Sequence, residues 1–309
     1  MKHIGEDALI QRLKRLLPGR ADVVAGIGDD CAVVRTGPRD SFDLLLKSDP
    51  VIEGVHFTAM APAEAIGHKA LGRVLSDIAA MGGEPLWVLI DLVAPASVPV
   101  KRIEGIYRGL AKLARRHGVA IVGGDTSRGR TLELHVFAVG RILRGRAVLR
   151  SGAKPGDSLY VTGSLGGSGQ GRHLRFEPRL IEGQWLASGK WATAMMDVSD
   201  GLATDLRRLI AASGTGAVVE AARIPVSPAA KRLLDRRAPL EHALSDGEDF
   251  ELLFTVSPRK AAAFEAAWHR RFRLACTRIG ELIRRPGLLE IENNGILTPL
   301  KTRGYEHFC

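Results

Sequence analysis

Residues 26–34, Gly26-Ile27-Gly28-Asp29-Asp30-Cys31-Ala32-Val33-Val34, set two adjacent carboxylates between a glycine-spaced turn and a short apolar run. Glycine permits the positive-φ backbone that lets a chain approach a ligand closely. Neighbouring anions are stable when solvated or facing cations, so the stretch alone reads first as a surface turn. The pattern recurs, however, at Ser48-Asp49, Ser76-Asp77, Gly123-Gly124-Asp125-Thr126 and Asp197-Val198-Ser199-Asp200-Gly201. Each is an aspartate at the edge of an apolar run, with glycine or hydroxyl residues beside it. Bound divalent cations explain such a set best. Hard ions such as Mg²⁺ take oxygen ligands, a carboxylate or two each, and complete the shell with water and phosphate. The central expectation is a multi-aspartate platform for metal-bound phosphates.

The 309 residues exceed the usual size of a single core, so two domains are expected. The turn-rich link Ser151-Gly152-Ala153-Lys154-Pro155-Gly156-Asp157 puts the boundary near it, giving domains 1–148 and 149–309. Apolar spacing predicts helices over 6–17, 63–81, 100–117, 200–213, 227–236 and 261–271. Strands are expected over 42–48, 86–93, 119–122, 131–142, 158–161, 194–198, 216–221 and 251–256, with a hairpin turn at Asn293-Asn294-Gly295. The alternation lacks strict βαβ spacing, so a mixed-sheet α+β layout is expected rather than a doubly wound one. Residues 163–171, dense in glycine and serine, read as a mobile loop.

Composition excludes several roles. Three scattered cysteines, Cys31, Cys276 and Cys309, cannot make a disulfide framework or a zinc site, and a reducing cytoplasm fits them. The longest apolar stretch, residues 85–100, is broken by Asp91 and prolines, so no membrane span is expected. The net charge of +10 is spread over pairs such as Arg207-Arg208 and Arg270-Arg271 without interleaved aromatics. That is a general attraction for anions rather than a nucleic-acid surface. No G-x-x-x-x-G-K-[ST] loop, kinase H-R-D segment, nucleophile elbow or paired-His motif is present. A phosphate site must therefore use metal-bridged carboxylates and glycine-turn amides, with Arg or Lys as auxiliaries.

Asp197-Val198-Ser199-Asp200-Gly201-Leu202 is the sharpest element, with Asp197 ending a strand and Ser199 and Asp200 at a helix entrance. Capping accounts for one of these residues, and a helix start also favours phosphate. Capping does not account for acid, hydroxyl and acid together.

The whole set resembles the thiamine-monophosphate kinase family, within the aminoimidazole-ribonucleotide-synthetase-like superfamily. The matching segments are 26–34 (GIGDDCAVV), 48–57 (SDPVIEGVHF), 75–82 (LSDIAAMG), 122–129 (VGGDTSRG), 150–157 (RSGAKPGD), 197–202 (DVSDGL), 247–254 (GEDFELLF) and 304–308 (GYEHF). The resemblance implies Mg²⁺-dependent, ATP-dependent phosphorylation of thiamine monophosphate to thiamine diphosphate, by direct transfer of the γ-phosphoryl group. By motif position, Asp30, Ser48, Asp49, Asp77, Asp125 and Asp197 would hold several Mg²⁺ ions, and Asp200 a further one. Gly124, Asp125, Arg150, Ser199 and Tyr107 would contact ATP, and His56, Glu248 and Tyr305 the thiamine phosphate. The implied fold is an N-terminal mixed-sheet domain pairing with a second copy into a homodimer barrel, plus a C-terminal α+β domain. Plain alternatives stand beside these roles: a core histidine at His56, terminal packing at Tyr305, and a surface arginine at Arg150.

Two features depart from the family pattern. Lys47 and Ser48 stand where relatives carry a hydroxyl residue and a threonine, so Lys47 either replaces one Mg²⁺ or points away. The segment after Gly163-Ser164 is also short. Sister activities, aminoimidazole ribonucleotide synthesis and hydrogenase maturation, are the alternatives, together with a non-catalytic nucleotide binder. The maturation family uses a C-terminal cysteine, but Cys309 follows GYEHF.

Overall fold

A computed structural model describes residues 5–305, so Cys309 and most of the terminal GYEHF segment lie outside the described residues. The chain opens with α1 (Glu6–Lys14), shorter than the 6–17 expected. Its apolar stripe does not enter a core, and Leu16 and Leu17 lie exposed beyond the helix end.

The first sheet contains β1 (Val23–Ala25), β2 (Ala32–Arg35), β3 (Phe42–Ile52), β4 (Glu84–Ala94), β5 (Ala120–Gly123), β6 (Thr126–Arg128) and β7 (Glu133–Leu143). The order is β1-β2-β3-β7-β4-β5, and β6 also pairs with β4. The central pairs are antiparallel, while β5 and β6 run parallel to β4. Ser48-Asp49 was expected at a strand end but lies within β3, which pairs with β7 from Phe42↔Leu143 to Ile52↔Glu133. Pairing of β3 with β2 stops at Leu46↔Ala32, so Pro50 sits where one edge is open and its missing N–H is tolerated.

Two helices, α2 (Ala63–Ala80) and α3 (Val100–His117), cover one face of this sheet. Glycine sets their separation. A Cβ on Gly67 would meet Ile106 O at 2.0 Å, and one on Gly109 would meet Glu64 O at 2.0 Å.

The second sheet is built from β8 (Ser158–Thr162), β9 (Ala192–Asp197), β10 (Gly216–Glu220), β11 (Leu252–Val256), β12 (Cys276–Ile283), β13 (Leu289–Asn293) and β14 (Ile296–Pro299), in the order β14-β13-β10-β12-β8-β11-β9. Only β10–β13 is parallel, so both sheets are mixed and the fold is α+β. The β13–β14 hairpin turns on Asn294-Gly295, both at positive φ, as the Asn-Gly pair predicts. Around the sheet lie α4 (Leu180–Ser188), α5 (Leu202–Ser213), the short α6 (Pro228–Lys231) and α7 (Pro239–Ser245), and α8 (Pro258–Arg271). The helix expected over 227–236 is thus reduced to α6, and α4, α7 and β12 had no counterpart in the sequence reading.

Strands β8 and β11 are buried on both faces, which is why they read as continuous apolar runs. Tyr160, Phe254 and Val256 join a core that also contains Ile66, Leu71 and Ile78 of α2, whereas Leu159, Val161 and Leu253 pack with Leu206 and Leu209 of α5. Helix α2 therefore lies against β3 and β7 of the first sheet and β9 of the second.

Candidate active site

The shared helix builds the site. Lys69, Arg73 and Asp77 recur every four residues on α2 and form a polar line beside its apolar stripe. On β3, Lys47 and Asp49 share a face with buried Leu45 and Val51, so their side chains turn toward α2. Asp197 arrives from the end of β9, and Asp30 from the turn before β2.

Asp30, Asp77 and Asp197 each offer a carboxylate oxygen, and these atoms lie within 4.8 Å of one another. All three residues are buried. Asp30 Oδ1 accepts from Arg150 Nη2 at 2.5 Å, whereas Asp30 Oδ2 is buried without a hydrogen-bond partner among the described residues. Asp197 Oδ2 accepts from the Ser76 hydroxyl at 2.5 Å. Burial, and then Asp30, push the Asp197 carboxyl up to about 7. Burial pushes Asp77 well above its ordinary value, opposed by Lys47 and reinforced by Asp49. Asp29 accepts from the Arg150 N–H at 3.2 Å and is raised to about 6 by burial and by Asp30. An oxygen-only donor set with an orphaned buried oxygen fits a hard divalent cation.

Cations surround the acids. Lys47 Nζ lies 3.0 Å from Asp77 Oδ1 and 3.5 Å from Asp49 Oδ1, and Arg73 Nε lies 3.5 Å from Asp49 Oδ2. Lys69, fully buried, contacts Glu248 Oε1 at 2.6 Å and donates to His56 O at 2.5 Å. Arg73 Nη1 is 3.7 Å from the same Glu248 oxygen. His56 is buried, and its Nδ1 accepts the Ile52 N–H at 3.0 Å, which places the proton of the neutral ring on Nε2. Glu248 itself sits at φ 54, next to Gly247 at φ 73 and two residues before Phe250 at φ 50, and this left-handed backbone points to a constrained loop.

The Asp197–Gly201 segment differs from its sequence reading. Gly201 is the N-cap of α5 and no side chain caps there, so Ser199 and Asp200 lie outside the helix. Instead Asp205 Oδ2 reaches back to accept the N–H groups of Ser199 at 3.0 Å and Asp200 at 2.9 Å. Arg208 pairs with both Asp200 and Asp205. The Asp200 carbonyl accepts the Tyr305 N–H at 3.0 Å, and Ser199 O accepts the Glu248 N–H at 2.7 Å. The loop thus links Ser199, Asp200, Glu248 and Tyr305 into one frame, with Tyr305 half exposed.

The remaining candidates lie elsewhere. Ser48, next to Asp49, points to the opposite face of β3. There it lines a cleft of about 420 Å³ with Asp91, Asp125, Ser127 and His135. Asp91 Oδ1 accepts the Asp125 N–H at 3.0 Å. Gly124 has φ 147, and a Cβ on it would meet Ile90 O at 1.9 Å, so contact with β4 already demands glycine. Tyr107 lines a separate groove with Glu64, Glu104 and Arg108. The structure therefore gathers Asp30, Asp77 and Asp197 tightly, with Asp49 alongside; Ser48 and Asp125 share the second cleft, and Asp200 pairs with Arg208.

The chain matches AIR synthase related protein, N-terminal domain, over residues 28–142, and AIR synthase related protein, C-terminal domain, over 154–289. It is 40% identical to a thiamine-monophosphate kinase of Rhodopirellula baltica, covering 91% of this chain and 89% of that one. It is 36% identical to a thiamine-monophosphate kinase of Escherichia coli K12, covering 99% and 98% of the two chains. The chain belongs to the thiamine-monophosphate kinase family. A solved structure, AaThiL complexed with AMPPCP and TMP, superposes with a TM-score of 0.86 at 32% identity, covering 100% of this chain and 98% of that chain. The protein is a kinase of that fold.

Several residues in and around this candidate site escaped the sequence reading. The Lys69-Arg73-Asp77 spacing was the available signal for the α2 line. Asp205, an acid in the first turn of α5, was not singled out. Glu251 lies within the GEDFELLF segment but was given no role: it is buried, and it accepts from Thr162 at 2.7 Å, Arg172 at 2.8 Å and Arg179 at 2.6 Å. The glycine-rich loop expected to be mobile is tied to this region. Gly166 and Ser168 donate to Asp249, and Gly167 N–H donates to Asp246.

Proposed function

We propose that the protein transfers the γ-phosphoryl group of ATP to thiamine monophosphate, yielding thiamine diphosphate and ADP. The carrying observation is the convergence of Asp30 from the turn before β2, Asp77 from α2 and Asp197 from β9 onto one buried point. An oxygen of the substrate phosphate attacks Pγ in line; the bond from Pγ to the β–γ bridging oxygen breaks as the new P–O bond forms. Both reactants are anionic, so the chief task is positioning and charge neutralisation. When bound, Mg²⁺ ions held by Asp30, Ser48, Asp77, Asp125, Asp197 and Asp200 would offset phosphate charge, with Asp49 beside them against Lys47 and Arg73.

The protein's own groups supply the rest. Arg150, paired with Asp30, is assigned to ATP along with Gly124, Asp125, Ser199 and Tyr107. His56, Glu248 and Tyr305 are assigned to the thiamine phosphate. Lys69 and Arg73 both engage Oε1 of Glu248, so its other oxygen is the one assigned to the substrate's amino group.

The assigned N-terminal domain is 1–148 and the C-terminal domain 149–309, because the first sheet ends at Leu143 and the second begins at Ser158. A homodimer is supported by Trp87, Leu89 and Val122, apolar side chains exposed on the first sheet. Light scattering on Trp87→Glu checks it, and an unchanged mass would remove the interface from that face. No helix of the described residues is long and apolar enough to cross a membrane. The unpaired Cys31 and Cys276 suit a cytoplasmic site of action.

The test is incubation with Mg-ATP and thiamine monophosphate, with thiamine diphosphate read by fluorescence after oxidation. Asp77→Asn should lower the rate by about 10²-fold or more while the fold survives. A wild-type protein that binds ATP but makes no product would sink the proposal.

A further inference from the structure

We infer that Lys47 is a resident cation of the active site, standing in for one divalent ion between Asp49 and Asp77. The inference rests on the kinase reading, in which these acids gather metal around phosphates. Its own support is positional. Lys47 sits on the face of β3 that turns toward α2, and its side chain is 21% exposed. Its Nζ contacts both acids, Asp77 Oδ1 at 3.0 Å and Asp49 Oδ1 at 3.5 Å, which is a bridging position.

The other side of Asp49 is also occupied. Arg73 Nε lies 3.5 Å from Asp49 Oδ2 and has no hydrogen-bond partner there closer than this ion pair. Asp49 is thus bracketed by two fixed cations, whereas Asp30 keeps an oxygen with no partner and Asp77 and Asp197 lie beside it. A divalent ion bridging Asp49 and Asp77 would lie roughly 2.0–2.6 Å from its oxygens. The ammonium already fills that place, and like charges at such a spacing repel. Ions are therefore directed to the Asp30–Asp77–Asp197 side, and the Asp49 side is served by the protein itself. The ammonium keeps N–H groups that can donate to a phosphate oxygen, so it supplies charge and a hydrogen bond without a metal's exchange of ligands.

Two measurements test this. Wild-type crystals soaked with Mn²⁺ and a non-transferable ATP analogue should give no anomalous peak bridging Asp49 and Asp77, with Lys47 still against Asp77. A Mn²⁺ ion there, with Lys47 swung out, overturns the inference. In solution, Lys47→Thr should bind one more Mn²⁺ per chain than wild type in the presence of the analogue, counted by electron paramagnetic resonance of free Mn²⁺. An unchanged count in a variant whose unfolding temperature matches wild type also overturns it. Product formation by the wild type is measured separately. Its absence with the expected ion count would sink the kinase reading and leave the placement of Lys47 intact.

Discussion

Arg150 Nη2 and Asp30 Oδ1 meet at 2.5 Å although 120 residues separate them in the chain. The contact joins the turn before β2 to the start of the segment leading into the second sheet. Asp29 completes it by accepting the backbone N–H of Arg150. Burial disfavours the guanidinium charge, but Asp30, Asp29 and Asp205 together outweigh it and Arg150 stays firmly protonated. Removing it leaves a buried carboxylate without its cation, which on the proposed function would face the incoming triphosphate. Arg150→Met should therefore weaken binding of a non-transferable ATP analogue by about 10-fold to 100-fold, as one charge-assisted contact is worth roughly 1.5–3 kcal/mol. Calorimetry decides it, and an affinity within twofold of wild type would detach Arg150 from the nucleotide.

Glu251 provides a prediction about stability. It is buried and compensates Arg172 and Arg179 at once. Glu251→Ala strips two partly buried guanidinium groups of their common partner. The expected loss is roughly 3–5 kcal/mol of unfolding free energy. Urea unfolding followed by circular dichroism measures it, and a loss below about 1 kcal/mol would show that water takes over the arginines' contacts.

Stability should also depend on pH in a definite direction. Burial raises Asp249 and Asp197 to about 7 and Asp29 to about 6, against an ordinary value of 3.8. Over that interval the folded chain holds more protons than the unfolded chain, so stability falls as pH rises. The penalty is absent below the ordinary value and complete above about 7. For Asp249 it amounts to about 4 kcal/mol at most. With metal removed by chelation, the unfolding temperature should drop between pH 4 and 7, and Asp249→Asn should flatten part of that slope. A temperature that rises across the same interval would contradict the burial argument.

How much of this was visible in the amino-acid order depends on distance along the chain. Local signals did well. The apolar period of residues 100–117 matches α3 residue for residue, the alternation near 131–142 is β7, and Asn294-Gly295 makes its hairpin. The acid-bearing turns marked Asp30, Asp77 and Asp197 before their meeting could be seen. What failed was non-local. Nothing in the neighbourhood of Glu251 announces Arg172 and Arg179, and the capping rule for Ser199 and Asp200 yielded to Asp205 reaching back from inside α5. The strand carrying Asp49 extends past Ser48 because β7 pairs along its whole length, which no local rule foresees. Helix 227–236 shrank to α6 because Pro228 starts a helix that its context does not prolong.

Helix α2 lends one side to the candidate site and another to a hydrophobic interior drawn from both sheets. Neither half can come apart without uncovering apolar surface that belongs to its neighbour. The molecule should accordingly melt in a single cooperative step by calorimetry, and two separated heat peaks would refute this. The same arrangement ties the alignment of Lys69, Arg73 and Asp77 to the soundness of the entire interior, so a packing defect far from any phosphate should be felt as lost turnover before the chain visibly unfolds.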